Sequence, residues 1–342
     1  MFNVADDGTI FGILLLMHNI VPYLYPLFLF VVGCIALYYC SEVLIDASIL
    51  LSQKFNLSPI TIGATVVALG TSLPELLVSL YSTFFIQDTN SANGIILGNI
   101  LGSNIANISL VLGFCALLYK KIKFESNIFK DLLFIFFLGL YALACLYYEI
   151  SINYFHGICL IVLFLLYLYY LVTSNQIKET EKNSSNSNLL VILFVILISI
   201  IGLAFGTDLS VKNAIVISSM IGFNELAIGI SIVALGTSFP ELFTGISAIK
   251  KKKYSLLIGN VIGSNIINVV FVLGFSSLFR NIIIEVESII SFVPYIMVVF
   301  ILSHLFLIIS YLINKSISFF SGLFLLSLYL YFIYHLIRLS IL

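Results

Sequence analysis

Two segments of the chain carry matching residues that could bind a cation. Residues 63–75 read GATVVALGTSLPE and residues 229–241 read GISIVALGTSFPE, identical at 9 of 13 positions with an offset of 166. Each segment ends in a glutamate, Glu75 or Glu241, that lies inside a long apolar stretch. The polar residues match, and shared hydrophobicity alone would not preserve them. We therefore interpret the two segments as copies of one unit.

The two glutamates have no basic neighbour along the chain. No Lys or Arg occurs between residues 54 and 120 or between residues 212 and 250. An ionised carboxylate at the centre of a bilayer costs at least about 2.5–3.5 kcal/mol. Each glutamate must therefore be protonated or neutralised by something that binds.

A proline precedes each glutamate and predicts a broken helix. Pro74 and Pro240 lack the helical N–H and clash with the carbonyls four residues back, those of Gly70 and Gly236. Lipid does not tolerate freed carbonyls unless they line a cavity. Hydroxyl side chains three and four residues before each glutamate complete the polar face. They are Thr71, Ser72, Thr237 and Ser238.

A second repeated motif adds amide and hydroxyl oxygens. Residues 98–113 read GNILGSNIANISLVLG and residues 259–274 read GNVIGSNIINVVFVLG, identical at 10 of 16 positions with an offset of 161. In each copy a serine and an asparagine are spaced i, i+4 and share one helical face. These residues are Ser103, Asn107, Ser264 and Asn268. An all-oxygen set suits Ca²⁺, which takes roughly 6–8 oxygens at about 2.3–2.6 Å, and it can also hold Na⁺.

Other residues in and around these motifs have structural interpretations. The glycine pairs Gly98/Gly102 and Gly259/Gly263 predict close helix packing. For Glu42 and its repeat mate Asp208 the sequence leaves a structural role and a place on an ion path equally open. Asparagines are expected to cap or bridge helices at Asn99, Asn104, Asn260 and Asn265. Small buried hydrophobes are expected at Cys34, Cys40, Cys115, Cys145 and Cys159.

Composition places these motifs in a membrane. The 342 residues are 61% hydrophobic and 9% charged, whereas a soluble domain carries about a quarter charged residues. There is no basic stripe that would bind nucleic acid. Apolar stretches of about 18 residues or more predict spanning helices. Ten are predicted, near residues 24–51, 58–86, 94–118, 128–148, 155–174, 189–211, 222–249, 255–279, 288–312 and 316–339.

The distribution of basic residues orients the ten spans. Alternating loops place 12 of the 15 basic residues on one side, which the positive-inside rule makes cytoplasmic, so both termini are predicted to be extracytoplasmic. The halves, 1–174 and 189–342, are joined by a short cytoplasmic linker, 175–188. Each half has five helices, an odd number, so the second copy inserts upside down. The predicted fold is an all-α membrane protein of ten transmembrane helices, arranged as two inverted five-helix repeats.

The duplicated motifs resemble the two repeats of the calcium/cation antiporter superfamily, and in particular the small prokaryotic sodium/calcium exchangers. The resemblance implies that Glu75 and Glu241 bind both ions, that the two threonines contribute oxygens to Ca²⁺, and that Ser72 and Ser238 line the breaks. It also implies Na⁺ ligands at Ser103, Ser264 and the backbone carbonyls of Ala68 and Ala234. Asn107 matches the asparagine of the family, whereas Asn268 stands where several exchangers have aspartate. That difference leaves proton or potassium coupling open.

The predicted function is a secondary antiporter that exchanges Ca²⁺ for Na⁺ by alternating access at one midplane site. The alternative is a Ca²⁺/H⁺ or K⁺-dependent cation exchanger. A cation channel could use the same oxygens but would leak, and the midplane motifs offer no nucleophile with a base for an enzyme. The only substrates expected are Ca²⁺ and Na⁺, with no cofactor and no nucleic-acid partner. We expect a multi-pass protein of the inner (plasma) membrane that functions as a monomer in the lipid bilayer.

Overall fold

The computed structural model describes residues 7–174, 188–221, 234–283 and 292–341. The predicted linker therefore lies outside the described residues except for its last position. The same holds for residues 222–233 of the seventh predicted span and residues 288–291 of the ninth.

Twelve helices and one pair of short strands make up the described part of the chain, and three of the helices contain a π-helical segment. The first half comprises α1 (Asp7–Phe55), α2 (Pro59–Thr71), α3 (Leu73–Phe85), α4 (Thr89–Ala106, Asn107–Leu112 and Gly113–Tyr119), β1 (Lys121–Lys123), α5 (Phe129–Tyr147) and α6 (Tyr154–Ser174). The second half comprises α7 (Leu189–Ile221), α8 (Ala234–Thr237), α9 (Phe239–Lys250), α10 (Tyr254–Ile266, Ile267–Leu273 and Gly274–Phe279), α11 (Val293–Asn314), β2 (Ser316–Ser318) and α12 (Phe319–Ile341). The π-helical segments are Gly63–Val67, Asn107–Leu112 and Ile267–Leu273.

The described helices confirm an all-helical membrane protein. Eight are long and apolar enough to cross a membrane, and the bent pair α2 and α3 makes up to nine spans. The seventh predicted span is described only from Ala234 onward, as α8 and α9. Predicted boundaries agree with the described helices to within about five residues, with two exceptions. Helix α1 begins at Asp7 and so includes the short apolar stretch before the first predicted span, and α7 continues to Ile221, beyond the predicted end at residue 211.

Two central helices carry the second repeated motif. The spans Ala92–Tyr119 and Tyr254–Phe279 are almost completely buried within the protein. The outer helices instead expose large aromatic side chains, as expected for a surface that faces lipid. Examples that are at least 70% exposed are Tyr25, Phe85, Phe155, Tyr169 and Phe320.

The described loops gather at two ends of the bundle. At one end, which we call the lysine-rich end, β1 pairs antiparallel with β2. Ser255 donates to Glu125 Oε2 at 2.7 Å there, and Lys251 Nζ lies 2.6 Å from Asp46 Oδ1. These contacts bring together loops that the predicted alternation assigns to the cytoplasmic side.

The opposite end collects the loops assigned to the other side. Arg280 Nη2 donates to the Ile86 carbonyl at 2.7 Å, and Asn93 Nδ2 donates to the Ile283 carbonyl at 2.7 Å. An isolated bridge joins Ile152 to Ile282. Helix α3 therefore ends at this end, whereas its repeat equivalent α9 ends at the lysine-rich end. The two equivalent helices run in opposite directions.

Glycines bring α10 into backbone contact with α2. A Cβ added at Gly259 would lie 2.4 Å from the Ile60 carbonyl oxygen, and one added at Gly263 would lie 2.5 Å from Ala64 Cα. The close packing predicted for this pair is confirmed. For Gly98, the repeat equivalent of Gly259, no described atom lies within 4 Å of an added Cβ, so the predicted close packing is not found among the described residues. Residues 226 and 230, which correspond to Ile60 and Ala64 by the offset of 166, lie outside the described ranges.

The five cysteines are free thiols with different exposures. Cys115 and Cys145 are buried, as predicted, and Cys34 and Cys40 are partly buried. Cys159 is exposed, so the expectation of a buried side chain is wrong there. It lies on the outer helix α6, most of whose surface does not pack against the protein.

Candidate functional site

The two predicted breaks have the same backbone geometry. Ser72 separates α2 from α3 with φ −83° and ψ 10°, and Ser238 separates α8 from α9 with φ −85° and ψ 3°. Both lie in the sparsely populated bridge region. The first break bends the span by 46°. Because Pro74 has no N–H, the Gly70 carbonyl loses its helical donor.

Each break places a glutamate in the first turn of the helix that follows. Glu75 is in the first turn of α3 and Glu241 is in the first turn of α9, and both side chains are completely buried. A helix N-terminus carries partial positive charge, which stabilises a carboxylate there. Half-helix termini of this kind form ion sites in secondary transporters.

Glu241 receives hydrogen bonds from both copies of the motif. Ser72 Oγ, in the break of the first copy, donates to Glu241 Oε1 at 3.2 Å. Ser264 Oγ donates to the same oxygen at 3.3 Å. Ser264 Oγ also lies 3.4 Å from Thr71 Oγ1. The two breaks therefore meet, as the sequence predicts.

Glu75 has fewer hydrogen-bonding neighbours than Glu241. The hydroxyls of Ser103 and Thr237 lie beside its carboxylate, 3.4 Å from each other, and Glu241 is close enough to interact with it electrostatically. Even so, both Glu75 carboxylate oxygens are buried without a hydrogen-bond partner in the described part of the chain. Buried carboxylates that lack donors require a cation or a proton.

Two asparagines bridge the repeats beside the glutamates, as predicted. Thr71 Oγ1 donates to Asn260 Oδ1 at 3.1 Å, and in the equivalent contact Thr237 Oγ1 donates to Asn99 Oδ1 at 3.5 Å. Asn99 Nδ2 donates to the Glu75 carbonyl at 3.0 Å. Both asparagines are buried and contact protein groups on each side.

Sequence reasoning missed two hydroxyls one turn beyond the glutamates. Ser79 Oγ accepts from Asn99 Nδ2 at 3.2 Å, and Thr244 Oγ1 accepts from Asn260 Nδ2 at 3.1 Å. The available signal was their spacing, because Ser79 follows Glu75 by four residues and Thr244 follows Glu241 by three.

Four asparagines from α4 and α10 form a closed set of hydrogen bonds where the central helices cross. Asn104 Nδ2 donates to the Asn265 carbonyl and Asn265 Nδ2 donates to the Asn104 carbonyl, each at 3.3 Å. Asn107 Nδ2 donates to Asn265 Oδ1 at 2.9 Å, and Asn268 Nδ2 donates to Asn104 Oδ1 at 3.1 Å. We call these four residues the amide cluster. The π-helical segments begin at Asn107 and one residue before Asn268, and such segments are frequent at functional sites.

The described side chains leave a group of buried oxygen atoms without hydrogen-bond donors. All belong to predicted ligands, and together with the neighbouring hydroxyls they form a hard oxygen set suited to Ca²⁺ or Na⁺. These atoms are Glu75 Oε1, Glu75 Oε2, Glu241 Oε2, Asn107 Oδ1 and Asn268 Oδ1.

The two alanines predicted as carbonyl ligands stand apart from this group. The Ala68 carbonyl accepts from Ser72 N at 2.9 Å within the helix. The Thr71 hydroxyl lies 3.4 Å from it, but its one proton is directed to Asn260 Oδ1 at 3.1 Å. Ala234 is the first described residue of α8.

The structure places Glu42 and Asp208 outside the candidate site. Glu42 Oε1 lies 3.2 Å from Lys250 Nζ and Glu42 Oε2 lies 3.7 Å from Lys251 Nζ, at the lysine-rich end. Asp208 pairs with Lys212 at 2.9 Å on the exposed surface of α7. The structural interpretation of these two acids is the one that their contacts favour.

Comparisons with known proteins connect this geometry to a family. The family model described as sodium/calcium exchanger protein matches residues 25–173 and 191–338. Among curated proteins, the uncharacterized membrane protein MJ0091 of Methanocaldococcus jannaschii is 35% identical over 74% of this chain and 81% of its own length. The sodium/calcium exchanger MaX1 of Methanosarcina acetivorans is 26% identical over 72% of this chain and 81% of its own length.

A solved structure also shows similarity to sodium/calcium exchangers. The sodium-calcium exchanger NCX_Mj, soaked with 10 mM Na⁺ and no Ca²⁺, is 32% identical and superposes with a TM-score of 0.75 over 90% of this chain and 98% of that chain. Both halves of the chain match the family model, and the match includes both glutamates. The chain therefore belongs to the sodium/calcium exchanger protein family, and it is a multi-pass membrane antiporter rather than an enzyme.

Proposed function

We propose that the protein exchanges Ca²⁺ for Na⁺ by alternating access at one site between the two repeats. The observation that carries this proposal is the pair of buried glutamates, each in the first turn of a half-helix. Together they have three carboxylate oxygens that receive no hydrogen bond from the described residues. Ca²⁺ neutralises two carboxylates with one ion, and Na⁺ does so with two. Competition for the same oxygens then couples the two fluxes.

The proposed ligands follow the geometry of the site. Glu75 and Glu241 bind either ion, and the amide oxygens of Asn107 and Asn268 complete the shell. Hydroxyl ligands are proposed at Thr71, Ser72, Ser103, Thr237, Ser238 and Ser264. The carbonyls of Ala68 and Ala234 are proposed as Na⁺ ligands, and the Ala68 carbonyl would use the lone pair that does not accept from Ser72 N.

The proposed architecture has ten spans in two inverted repeats, 1–174 and 189–342, with a cytoplasmic linker at 175–188. Three observations support it: the opposite directions of α3 and α9, the equal backbone angles of the two breaks, and the two groups of loops. The lysine-rich end is proposed to face the cytoplasm of a cell with this protein in its inner (plasma) membrane, because basic residues are retained on that side. Both termini would then be extracytoplasmic. We further propose that one chain forms a complete transport unit, since both copies of the site residues lie within it.

The direct test removes one charge at a time. Glu75→Gln and Glu241→Gln keep the side-chain shape but leave a single carboxylate for Ca²⁺. We expect each variant to lose Na⁺-gradient-driven ⁴⁵Ca²⁺ uptake in proteoliposomes. The matched control is Asp208→Asn, which removes an exposed carboxylate from a spanning helix and should leave uptake unchanged. Normal uptake in either glutamine variant would contradict the proposal.

A second candidate is coupling to H⁺ in place of Na⁺, because carboxylates that have no basic partner among the described residues can also be neutralised by protons. K⁺-dependent exchange is a further form of the same alternative. Liposomes loaded with ⁴⁵Ca²⁺ and diluted into media with an imposed Na⁺, H⁺ or K⁺ gradient separate these possibilities. We expect efflux to follow Na⁺ alone. Efflux driven by a pH gradient without Na⁺ would replace Na⁺ with H⁺ as the coupling ion, and would leave the site assignment intact.

A further inference from the structure

The orientation of the amide cluster is fixed by backbone carbonyls. A carbonyl oxygen can only accept a hydrogen bond, so Asn104 must turn its NH₂ group toward the Asn265 carbonyl, and Asn265 must turn its NH₂ group toward the Asn104 carbonyl. Each Oδ1 atom then faces the asparagine one turn further along the other central helix. The reversed orientation would bring two acceptors together in a buried site, which is costly.

The orientation of these two amides determines that of the next two. Asn107 must donate to Asn265 Oδ1 and Asn268 must donate to Asn104 Oδ1, because both of those atoms are acceptors. Once their NH₂ groups are committed in this way, the Oδ1 atoms of Asn107 and Asn268 point away from the cluster. Both are buried and have no donor in the described structure.

We infer that Asn104 and Asn265 are positioning residues for ion binding. They touch no proposed ligand oxygen with their own donors, and they act by holding the carbonyl oxygens of Asn107 and Asn268 toward the cation. The inference rests on the proposed function, since it assumes that Asn107 and Asn268 are ligands. It also requires an amide at position 268, because an ionised aspartate would face Asn104 Oδ1 with a second acceptor.

The pairing across the repeats makes a test by double-mutant cycles possible. Asn265 holds Asn107, whereas Asn268 is held by Asn104. Asn265→Ala should raise the Kd for Ca²⁺ about tenfold, because the released amide of Asn107 no longer keeps its oxygen on the ion. Asn107→Ala should then add little in the Asn265→Ala background. In the same background, Asn268→Ala should still raise the Kd as much as it does in the wild-type protein. The cycle of Asn265 with Asn107 therefore predicts strong coupling, whereas the cycle of Asn265 with Asn268 predicts independent effects.

The measurement is ⁴⁵Ca²⁺ equilibrium binding to purified protein in Na⁺-free detergent solution, with melting temperature recorded for every variant. Asn93→Ala is the matched control. Asn93 is a buried asparagine of the same helix, α4, that also donates to backbone carbonyls, but it lies at the end of the bundle opposite the lysine-rich end. Asn93→Ala should leave the Kd for Ca²⁺ unchanged even where it lowers the melting temperature.

A purely structural role for Asn265 predicts a different pattern. Its loss would then lower the melting temperature and multiply the effects of Asn107→Ala and Asn268→Ala equally. That additive pattern would overturn the inference, as would an unchanged Kd in Asn265→Ala. If Asn265→Ala cannot be purified, the mirror cycle of Asn104 with Asn268 and Asn107 carries the same test.

The binding assay also separates this inference from the proposed function. It contains only Ca²⁺, so it gives a result whichever ion drives exchange. Loss of Ca²⁺ binding in Glu75→Gln together with additive asparagine cycles would contradict the positioning role of Asn104 and Asn265 but support the proposed ion site. Unchanged Ca²⁺ binding in both glutamine variants would contradict the ion site itself.

Discussion

Gly98 and Gly259 occupy equivalent positions in the two copies of one motif, but the described atoms around them differ. A Cβ at Gly259 would lie 2.4 Å from the Ile60 carbonyl oxygen, whereas ordinary contact begins near 3.4 Å. The obstacle is backbone and cannot rotate away. No described atom would lie within 4 Å of a Cβ at Gly98. Gly259→Ala and Gly98→Ala therefore form a matched pair of substitutions.

The expected consequence of Gly259→Ala follows from these distances. Helices α2 and α10 must separate by about 1 Å to relieve the contact, and overpacking of this kind costs about 1–3 kcal/mol. The neighbouring bond from Thr71 Oγ1 to Asn260 Oδ1, now 3.1 Å, would lengthen to about 4 Å, which is beyond hydrogen-bonding range. Gly98→Ala should be neutral or slightly stabilising, because alanine favours a helix over glycine by up to about 1 kcal/mol.

Two measurements check this pair. Thermal unfolding in detergent should show a lower melting temperature for Gly259→Ala only. Na⁺-driven ⁴⁵Ca²⁺ uptake should show a raised apparent KM for Ca²⁺ in that variant, because Thr71 and Ser264 no longer hold their places beside Glu241. Equal effects of the two substitutions, in either assay, would refute the argument from the asymmetric contact.

Two further substitutions test contacts at the site and at the lysine-rich end. Ser72→Ala removes the hydroxyl that donates to Glu241 Oε1 at 3.2 Å. It should weaken Ca²⁺ binding about tenfold with little change in melting temperature. An unaltered Kd would mean that this hydrogen bond does not contribute to Ca²⁺ binding. Lys251→Gln removes ion pairs to Asp46 and Glu42 that are partly exposed, so it should cost at most about 1 kcal/mol. Its small effect on the melting temperature should disappear at high salt, and a large salt-independent loss would mean that Lys251 has another role.

Much of the fold could be predicted from the sequence because a bilayer restricts the options. Spanning segments must be helical and apolar, so hydropathy locates them. A proline beside a glutamate is conspicuous in such a segment, which is why both helix breaks and the burial of both acids could be predicted. Spacing within one helix also fixed the shared faces of Ser103 with Asn107 and of Ser264 with Asn268.

Contacts between the repeats could not be predicted in the same way. The offset of 166 makes Ser72 equivalent to Ser238, but it does not say that Ser72 reaches Glu241 across the interface. The backbone contact of Gly259 with Ile60 is likewise not visible in the sequence, because it depends on how closely α2 packs against α10. Only the tertiary structure shows it.

The contacts of the two glutamates suggest how an empty site would behave in the proposed exchange cycle. Glu241 keeps two hydroxyl donors on one oxygen, whereas Glu75 has none on either oxygen in the described structure. Two adjacent carboxylates in hydrocarbon cannot both remain ionised without a counter-charge, so an ion-free site should not change the side to which it opens. Ca²⁺, or Na⁺ in sufficient number, removes that barrier, and this selective removal is what couples the two fluxes. Glu75, with the poorer hydrogen bonding, is then the carboxylate on which coupling depends most, and Glu75→Gln should be the variant that permits Ca²⁺-independent Na⁺ leak. A larger leak in Glu241→Gln, measured as ²²Na⁺ uptake without Ca²⁺, would contradict this order.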